Sequence, residues 1–254
     1  MIFPFPWSNK NKNSVITITE FLNNPSGSSS SYGGRRLDIK TNLSVRYTKL
    51  LSRTQNKLPY VCYKDADKYY FIFKIPSETF DNLLYDVVLE FYPLDDNMKK
   101  ETSLINYGMK FFSNSPHMMF TYTYVLNKQG LLIDFIKQYR CSKTALNNSP
   151  SVTNPVEQFG FEKTCYFAAL YLKSKKHLVK GNIENLVDAD ISSKVTILNS
   201  IAGQEEKLAE YNKLKANKIS SRKLKQETKK KKSERIINDI AYKYKGRTNN
   251  KKKK

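Results

Sequence analysis

The C-terminal end of this chain carries too much charge of one sign to pack upon itself. From Tyr211 to Lys254 there are 18 Lys or Arg residues, opposed only by Glu227, Glu234 and Asp239, a net +15. The density peaks at Lys229 to Lys232 and again at Lys251 to Lys254. Ammonium groups so closely spaced repel one another, and burying one without a partner costs several kcal/mol, so such blocks stay solvated. The formal net charge of the 254-residue chain is +21, yet residues 1–200 hold 25 basic and 17 acidic residues, only +8. The core must therefore come from the part that precedes the cationic run.

That part is equipped to build one. Apolar residues make up 39% of the chain, below the roughly 45–50% of an average globular domain. Aromatic content is nonetheless 13%, carried by 17 Tyr and 14 Phe, which excludes a chain disordered throughout. Nine Gly, nine Pro and three Cys exclude collagen-like and disulfide-scaffold classes. Cys62, Cys141 and Cys165 are widely spaced, without a Cys-x-x-Cys pair, and read as free thiols in a reducing cytoplasm. Met1 to Trp7 contains two prolines and no leading positive charge, unlike a secretory signal. The longest apolar run, Cys165 to Leu172, is far too short to cross a bilayer, so no membrane partner is expected.

Three segments follow. Residues 1–35 read as a flexible N-terminal arm, with a short strand at Val15 to Thr19 and a Ser/Gly-rich linker from Asn23 to Gly34. Its aromatics Phe3, Phe5 and Trp7, spaced by proline, are candidate docking residues for a partner groove. Residues 36–200 read as a β-rich core domain. Leu58 to Ile75 has the signature of a hairpin, with Pro59 and Pro76 at its ends and Lys64-Asp-Ala-Asp67 as its turn. Ser77 is placed to cap a brief helical turn over Thr79 to Leu84, and Tyr85 to Tyr92 gives a further strand. Leu104 to Phe112 and His117 to Leu126 suggest a second hairpin-like pair. Leu131 to Tyr139 fits a strand or a helix. Asn154, Pro155 and Glu157 suit a helix start, predicting a helix near 155–176 that Gly181 stops. Val195 to Leu198 reads as a short strand. Residues 201–254 read as a basic helical or disordered tail, with strong helix formers from Gln204 to Lys218. The fold class expected is α+β: an antiparallel β sandwich or barrel, then a helix and a long basic C-terminal helical tail.

No catalytic constellation emerges. A phosphate-cradling loop needs Gly-x4-Gly-Lys-Ser/Thr, which is missing. Cys165 and His177, twelve residues apart, fall across a predicted helix and are poorly placed as nucleophile and base. With only two histidines, a zinc site is excluded, and no cofactor is implied. Asp65/Asp67, Asp95/Asp96 and Asp188/Asp190 are the acid pairs a metal-dependent nuclease would need; the first two sit in predicted turns, where Asp serves the backbone. Lys173, Lys175, Lys176 and Lys180 cluster at a helix end, suiting either the helix dipole or phosphate. Tyrosines interleaved with Lys, as at Lys68-Tyr69-Tyr70 and Tyr242-Lys243-Tyr244, suit base stacking or a half-buried sheet.

The candidate nucleic-acid-binding residues are Lys223, Lys225, Lys229, Lys230, Lys231, Lys232, Arg235, Lys243, Lys245, Arg247, Lys251, Lys252, Lys253 and Lys254. Lys outnumbers Arg 36 to 8, which favours delocalised phosphate neutralisation over bidentate base readout. In style the chain resembles small virion structural or accessory proteins of AT-rich tailed bacteriophages. The Asn/Lys bias, Asn106-Tyr-Gly-Met-Lys-Phe-Phe-Ser-Asn-Ser-Pro116 and Phe120-Thr-Tyr-Thr-Tyr124, and the detachable basic tail carry that likeness. It implies a non-enzymatic assembly protein, within a virion assembled in a bacterial cytoplasm, that contacts other subunits, nucleic acid, or both, as part of an oligomer. The alternatives are an OB-like module for single-stranded nucleic acid and a metal-dependent nuclease.

Overall fold

A computed structural model describes residues 15–23, 30–32, 35–37, 39–151, 153, 162–184, 187–190, 194–222, 226 and 228. In chain order these form helix α1 (Ile18–Asn23), a two-stranded ribbon β1 (Ser30–Tyr32) and β2 (Arg35–Leu37), and helix α2 (Ile39–Arg53). Strands β3 (Tyr60–Asp65), β4 (Lys68–Pro76), β5 (Leu84–Tyr92) and β6 (Gly108–Ser113) follow, with a 3₁₀ turn at Met98–Lys100. A π-helix (Met118–Tyr122) runs into α3 (Thr123–Lys128), followed by α4 (Asp134–Arg140), α5 (Lys143–Asn147), α6 (Lys163–Ser174) and α7 (Lys180–Glu184). Strand β7 (Val187–Asp190) and helix α8 (Val195–Ser200) precede a helix over residues 204–222. The chain divides into two compact units, Met1–Ala209 and Glu210–Lys254.

The fold is α+β. Strands β3 to β6 form a four-stranded antiparallel sheet, and β7 extends it parallel to β3, giving the order β6-β5-β4-β3-β7. Strands β4 and β5 are apolar along nearly their whole length because both sheet faces are covered. Tyr69, Phe71, Phe73 and Ile75 join Val87, Leu89, Phe91 and Phe111 on one face, under α1, α2 and α6. The alternate residues Tyr70, Ile72, Val88 and Phe112 face Ile133, Ile136, Ile197 and Ile201. The hairpin expected at 58–75 forms in register, with Asp65 opposite Lys68 and a two-residue loop in which Ala66 takes φ 52°.

The expected sandwich or barrel is not what covers this sheet. Among the described residues helices occupy both faces, and the end strands β6 and β7 do not pair, so the sheet stays open. The reason lies in segments that read as strand and fold as helix. His117 to Leu126 alternates in sequence, yet Met118, Met119, Tyr122, Val125 and Leu126 are buried at helical spacing while Phe120 is 48% exposed. The Ser115 hydroxyl accepts from the Met118 N–H at 3.1 Å and starts the helical turn. Likewise α2 buries Leu43, Tyr47 and Leu50, spaced by four and three, in a span expected to be β-rich. Val195 to Leu198 forms α8, burying Ile197. Val15 to Thr19 is not a strand: Thr17 and Glu20 make a capping box, with Thr17 N–H on Glu20 Oε2 at 2.9 Å and Glu20 N–H on Thr17 Oγ1 at 3.3 Å. Ile16, Ile18, Phe21 and Leu22 of this supposed arm are core residues.

Other expectations resolve more finely. Ser77 accepts from Thr79 and Phe80 N–H groups, but the segment makes a turn rather than a helix. Leu131 to Tyr139 is both things in succession: Leu132 bridges to Phe111, then α4 begins. Helix α6 ends at Ser174, well before Gly181, which lies inside α7. The outer rim of β6 is occupied by the chain itself. Met109 N–H donates to Ile16 O at 2.8 Å, and Phe111 N–H donates to Leu131 O at 2.9 Å.

Candidate functional site

The residues nominated from sequence lie beyond what the structure describes. Phe3, Phe5 and Trp7, and the cations Lys223, Lys225, Lys229 to Lys232, Arg235, Lys243, Lys245, Arg247 and Lys251 to Lys254, are all outside the described residues. So are Tyr242 and Tyr244, and the expected helix start at Asn154, Pro155 and Glu157. What the structure does define is how the helix that leads toward the cationic segment begins.

Gln204, at 1% exposure, plugs the first turn of that helix into the folded body. Its side-chain amide donates to Ser113 O at 3.1 Å and Thr123 Oγ1 at 2.9 Å, and its oxygen accepts from the Ser142 N–H at 3.1 Å. One side chain thereby ties β6, α3 and the α4–α5 junction together. Glu206 returns its carboxylate to the Gly203 N–H at 3.3 Å, the reciprocal half of a capping box. Beside it, buried Asp86 accepts from Asn114 Nδ2 and from the Ala202 N–H, each at 2.8 Å, and from Lys74. Lys74 also donates to Ser200 O at 2.7 Å. Polar residues at the end of the sheet thus fix residues 200–204. Past Gln204 the described helix residues are half-buried or exposed: Leu208, Tyr211 and Leu214 are half-buried, and Ile219 is 46% exposed.

The catalytic candidates are given other work. Cys165 is fully enclosed, with its sulfur 4.0 Å from Phe112 O, and burial holds its thiol well above its ordinary range. His177 instead shares a 2.7 Å hydrogen bond with the Tyr60 hydroxyl and packs edge-on to Tyr171. Burial and the nearby Lys175 charge hold it below its usual pKa. Asp67 and Asp96 both pair with Lys99, at 3.1 and 2.8 Å, and Asp95 accepts from the Met98 N–H at 3.0 Å. Asp95 thus serves the local backbone as expected of a turn aspartate, while Asp67 and Asp96 hold Lys99 in surface ion pairs. Asp188 and Asp190 fall on β7, and their side chains are outside the description. Tyr69 and Tyr70, 3% and 1% exposed, fill the sheet and are unavailable for stacking.

One buried carboxylate was not anticipated. Glu162 caps α6 by accepting from the Thr164 N–H at 2.7 Å, and its other oxygen lies 3.8 Å from Nδ1 of half-exposed His117. Burial pushes this carboxyl up, while His117, Thr164 and Lys163 pull it down and leave it below its ordinary value. The Thr164 N–H and hydroxyl both donate to Glu162, so the carboxylate reads as a helix cap. Separately, an apolar groove of about 290 Å³ opens between the π-helix and α5, lined by Met119, Phe120, Tyr124, Ala145, Pro150 and Thr153. No helix among the described residues is long and apolar enough to cross a membrane. Comparison with known protein families, with curated proteins and with solved structures finds no match.

Proposed function

We propose that this chain is a non-enzymatic structural and assembly protein that grips nucleic acid through its C-terminal segment. One observation carries this reading: the boundary between the two compact units coincides with the segregation of charge. Residues 210–254 hold 18 basic and 4 acidic residues, net +14, whereas residues 1–209 hold 26 and 19, net +7. A body of modest net charge and a separate, nearly uncompensated cationic segment suit a protein that holds a polyanion while docking on other subunits. A virion protein assembled in a bacterial cytoplasm is the setting this division of labour fits, with the body facing neighbouring subunits. Salt titration tests the nucleic-acid part. Binding of duplex DNA by the full chain should weaken with a log–log slope of about −0.9 per phosphate contacted. Replacing Lys229 to Lys232 and Lys251 to Lys254 by Gln should flatten that slope by several units. An unchanged slope, or no binding by the parent chain, overturns the reading.

A further inference from the structure

We propose a second nucleic-acid contact on the folded body itself, a phosphate-binding patch made by Lys100, Lys173, Lys175 and Lys176. It rests on the nucleic-acid reading above and extends it from the tail to a built surface.

Two segments are stitched side by side to make the patch. Leu104 N–H donates to Leu178 O at 2.8 Å, and Lys180 N–H donates to Thr102 O at 2.7 Å. Lys180 then spends its ammonium on Met98 O and Lys99 O, at 3.3 and 2.9 Å, closing the 3₁₀ turn at Met98–Lys100 against the start of α7, a few residues past the end of α6. Lys100, Lys173, Lys175 and Lys176 are all exposed on these two segments, and none has a carboxylate partner among the described residues. Several other cations of the body do have one. Arg46, Arg53, Lys68, Lys74, Lys110 and Lys163 each pair with an acid.

The backbone at Lys176 provides an independent sign. Helix α6 closes with a Schellman motif: Lys176 N–H donates to Lys173 O at 3.2 Å and His177 N–H to Leu172 O at 2.9 Å. The residue after the cap must then be left-handed, and Lys176 has φ 56°. Glycine is the residue this position ordinarily takes, because it alone carries no Cβ penalty there. Keeping a lysine puts a charge next to Lys175 at the expense of backbone strain, and strain of this kind gathers at functional positions. Macrodipole compensation does not require it, since Lys173 already stands in the last turn.

The chemistry points to a phosphodiester backbone. Four flexible point charges without a bidentate guanidinium suit sequence-independent phosphate contact. A protein interface would want a buried apolar anchor, whereas the exposed large hydrophobic residues on these two segments, Val179 and Ile105 at 40% and 38%, are outnumbered by four cations.

The test uses the full chain with a fluorescent 30-mer duplex and its single strand, read by anisotropy across a salt series. Three variants are compared with the parent: Lys176→Gly, a fourfold Lys→Gln variant at 100, 173, 175 and 176, and the tail variant already described. The fourfold variant should lose about two to four units of slope on duplex, near 0.9 per phosphate contact. K176G should melt higher than the parent yet bind more weakly, with a slope about one unit flatter. Bound duplex should also raise the NMR titration midpoint of His177. Parent-like binding by the fourfold variant overturns the patch while sparing the tail reading. Loss in the fourfold variant with parent-like binding by the tail variant supports the patch and overturns the tail. If the parent binds neither oligonucleotide, both fall, as they do if the lysines matter only for anionic vesicles or an acidic peptide.

Discussion

Replacing Gln204 by Leu should destabilise the folded body far more than a substitution at the start of a surface helix normally does. The swap keeps a side chain of similar bulk and deletes three hydrogen bonds at a site only 1% exposed. The Ser142 N–H is left buried without its acceptor, an orphan worth about 1–3 kcal/mol. Ser113 O loses a donor, at about 1 kcal/mol. Thr123 suffers least, because its hydroxyl still donates to Met118 O at 3.1 Å. The total is about 2–4 kcal/mol, out of the ~5–15 kcal/mol typical of a domain. At about 2–4 °C per kcal/mol for a body of this size, Tm should fall by roughly 5–15 °C. Urea unfolding followed by tyrosine fluorescence should show a lower midpoint with an unchanged m-value. Gln204→Glu keeps the acceptor for Ser142 but offers a carboxylate to Ser113 O. Its penalty should be greatest at neutral pH and shrink as acid supplies the missing donor. If Gln204→Leu lies within about 0.5 kcal/mol of the parent, Gln204 is not the pin described above.

Three further outcomes follow from the same geometry. A Cβ on Gly108 would lie 2.5 Å from Tyr92 Cζ and 2.7 Å from Leu94 Cδ2, so Gly108→Ala should cost about 1–3 kcal/mol in chemical denaturation, and a second Tyr92→Ser change should recover part of it. Burial alone would raise the Glu78 carboxyl, but the hydrogen bonds and charges of Arg46 and Lys163 reverse that and hold it at about 2, against an ordinary 4.5. Because the folded pKa is the lower one, the contribution is complete above pH 4.5 and is lost as pH falls toward 2. After allowance for solvent screening it amounts to about 1 kcal/mol, and Glu78→Gln should erase that stretch of the stability–pH curve. Burial lifts the Cys141 thiol to about 12 and Cys165 well above its usual range, so native protein should react with a disulfide reagent at neutral pH far more slowly than unfolded protein, in which all three thiols respond.

The parts of the fold that could be read from sequence were those whose periodicity and punctuation agree. The hairpin β3–β4 is framed by Pro59 and Pro76 and turned by Asp65-Ala-Asp67, and β5 is a clean run of β formers, so both stand where sequence put them. The misread segments carried two periods at once. In Met118 to Tyr124 the threonines alternate with aromatics, a pattern of two, yet Thr121 and Thr123 are buried together with Met118, Met119 and Tyr122 while Phe120 is 48% exposed, so burial follows the helix and not the alternation. The Thr17-Ile-Thr-Glu20 capping box and the Leu43/Tyr47/Leu50 stripe were present in the sequence as helix signals, masked by neighbouring β-branched and aromatic residues. The root of the C-terminal helix was not legible at all, because nothing local marks Gln204 as buried. Its partners stand 62 to 91 positions earlier in the chain. The Lys173 to Lys180 cluster was visible as composition. That Lys176 sits in a left-handed cap, and that residues 98–104 are stitched to residues 178–180 just beyond it, required the backbone.

The straps along β6 have a consequence for how copies of this protein can meet. Ile16 and Leu131 already take the main-chain hydrogen bonds that the rim of the sheet would otherwise offer. A neighbour could continue the sheet there only by peeling one of them away, and peeling Ile16 would also draw Ile18, Phe21 and Leu22 out of the core. Runaway strand-on-strand polymerisation from this rim is therefore self-limiting. Where copies do join at it, the economical route is reciprocal exchange of the segment around Ile16, which closes a pair instead of propagating a fibre.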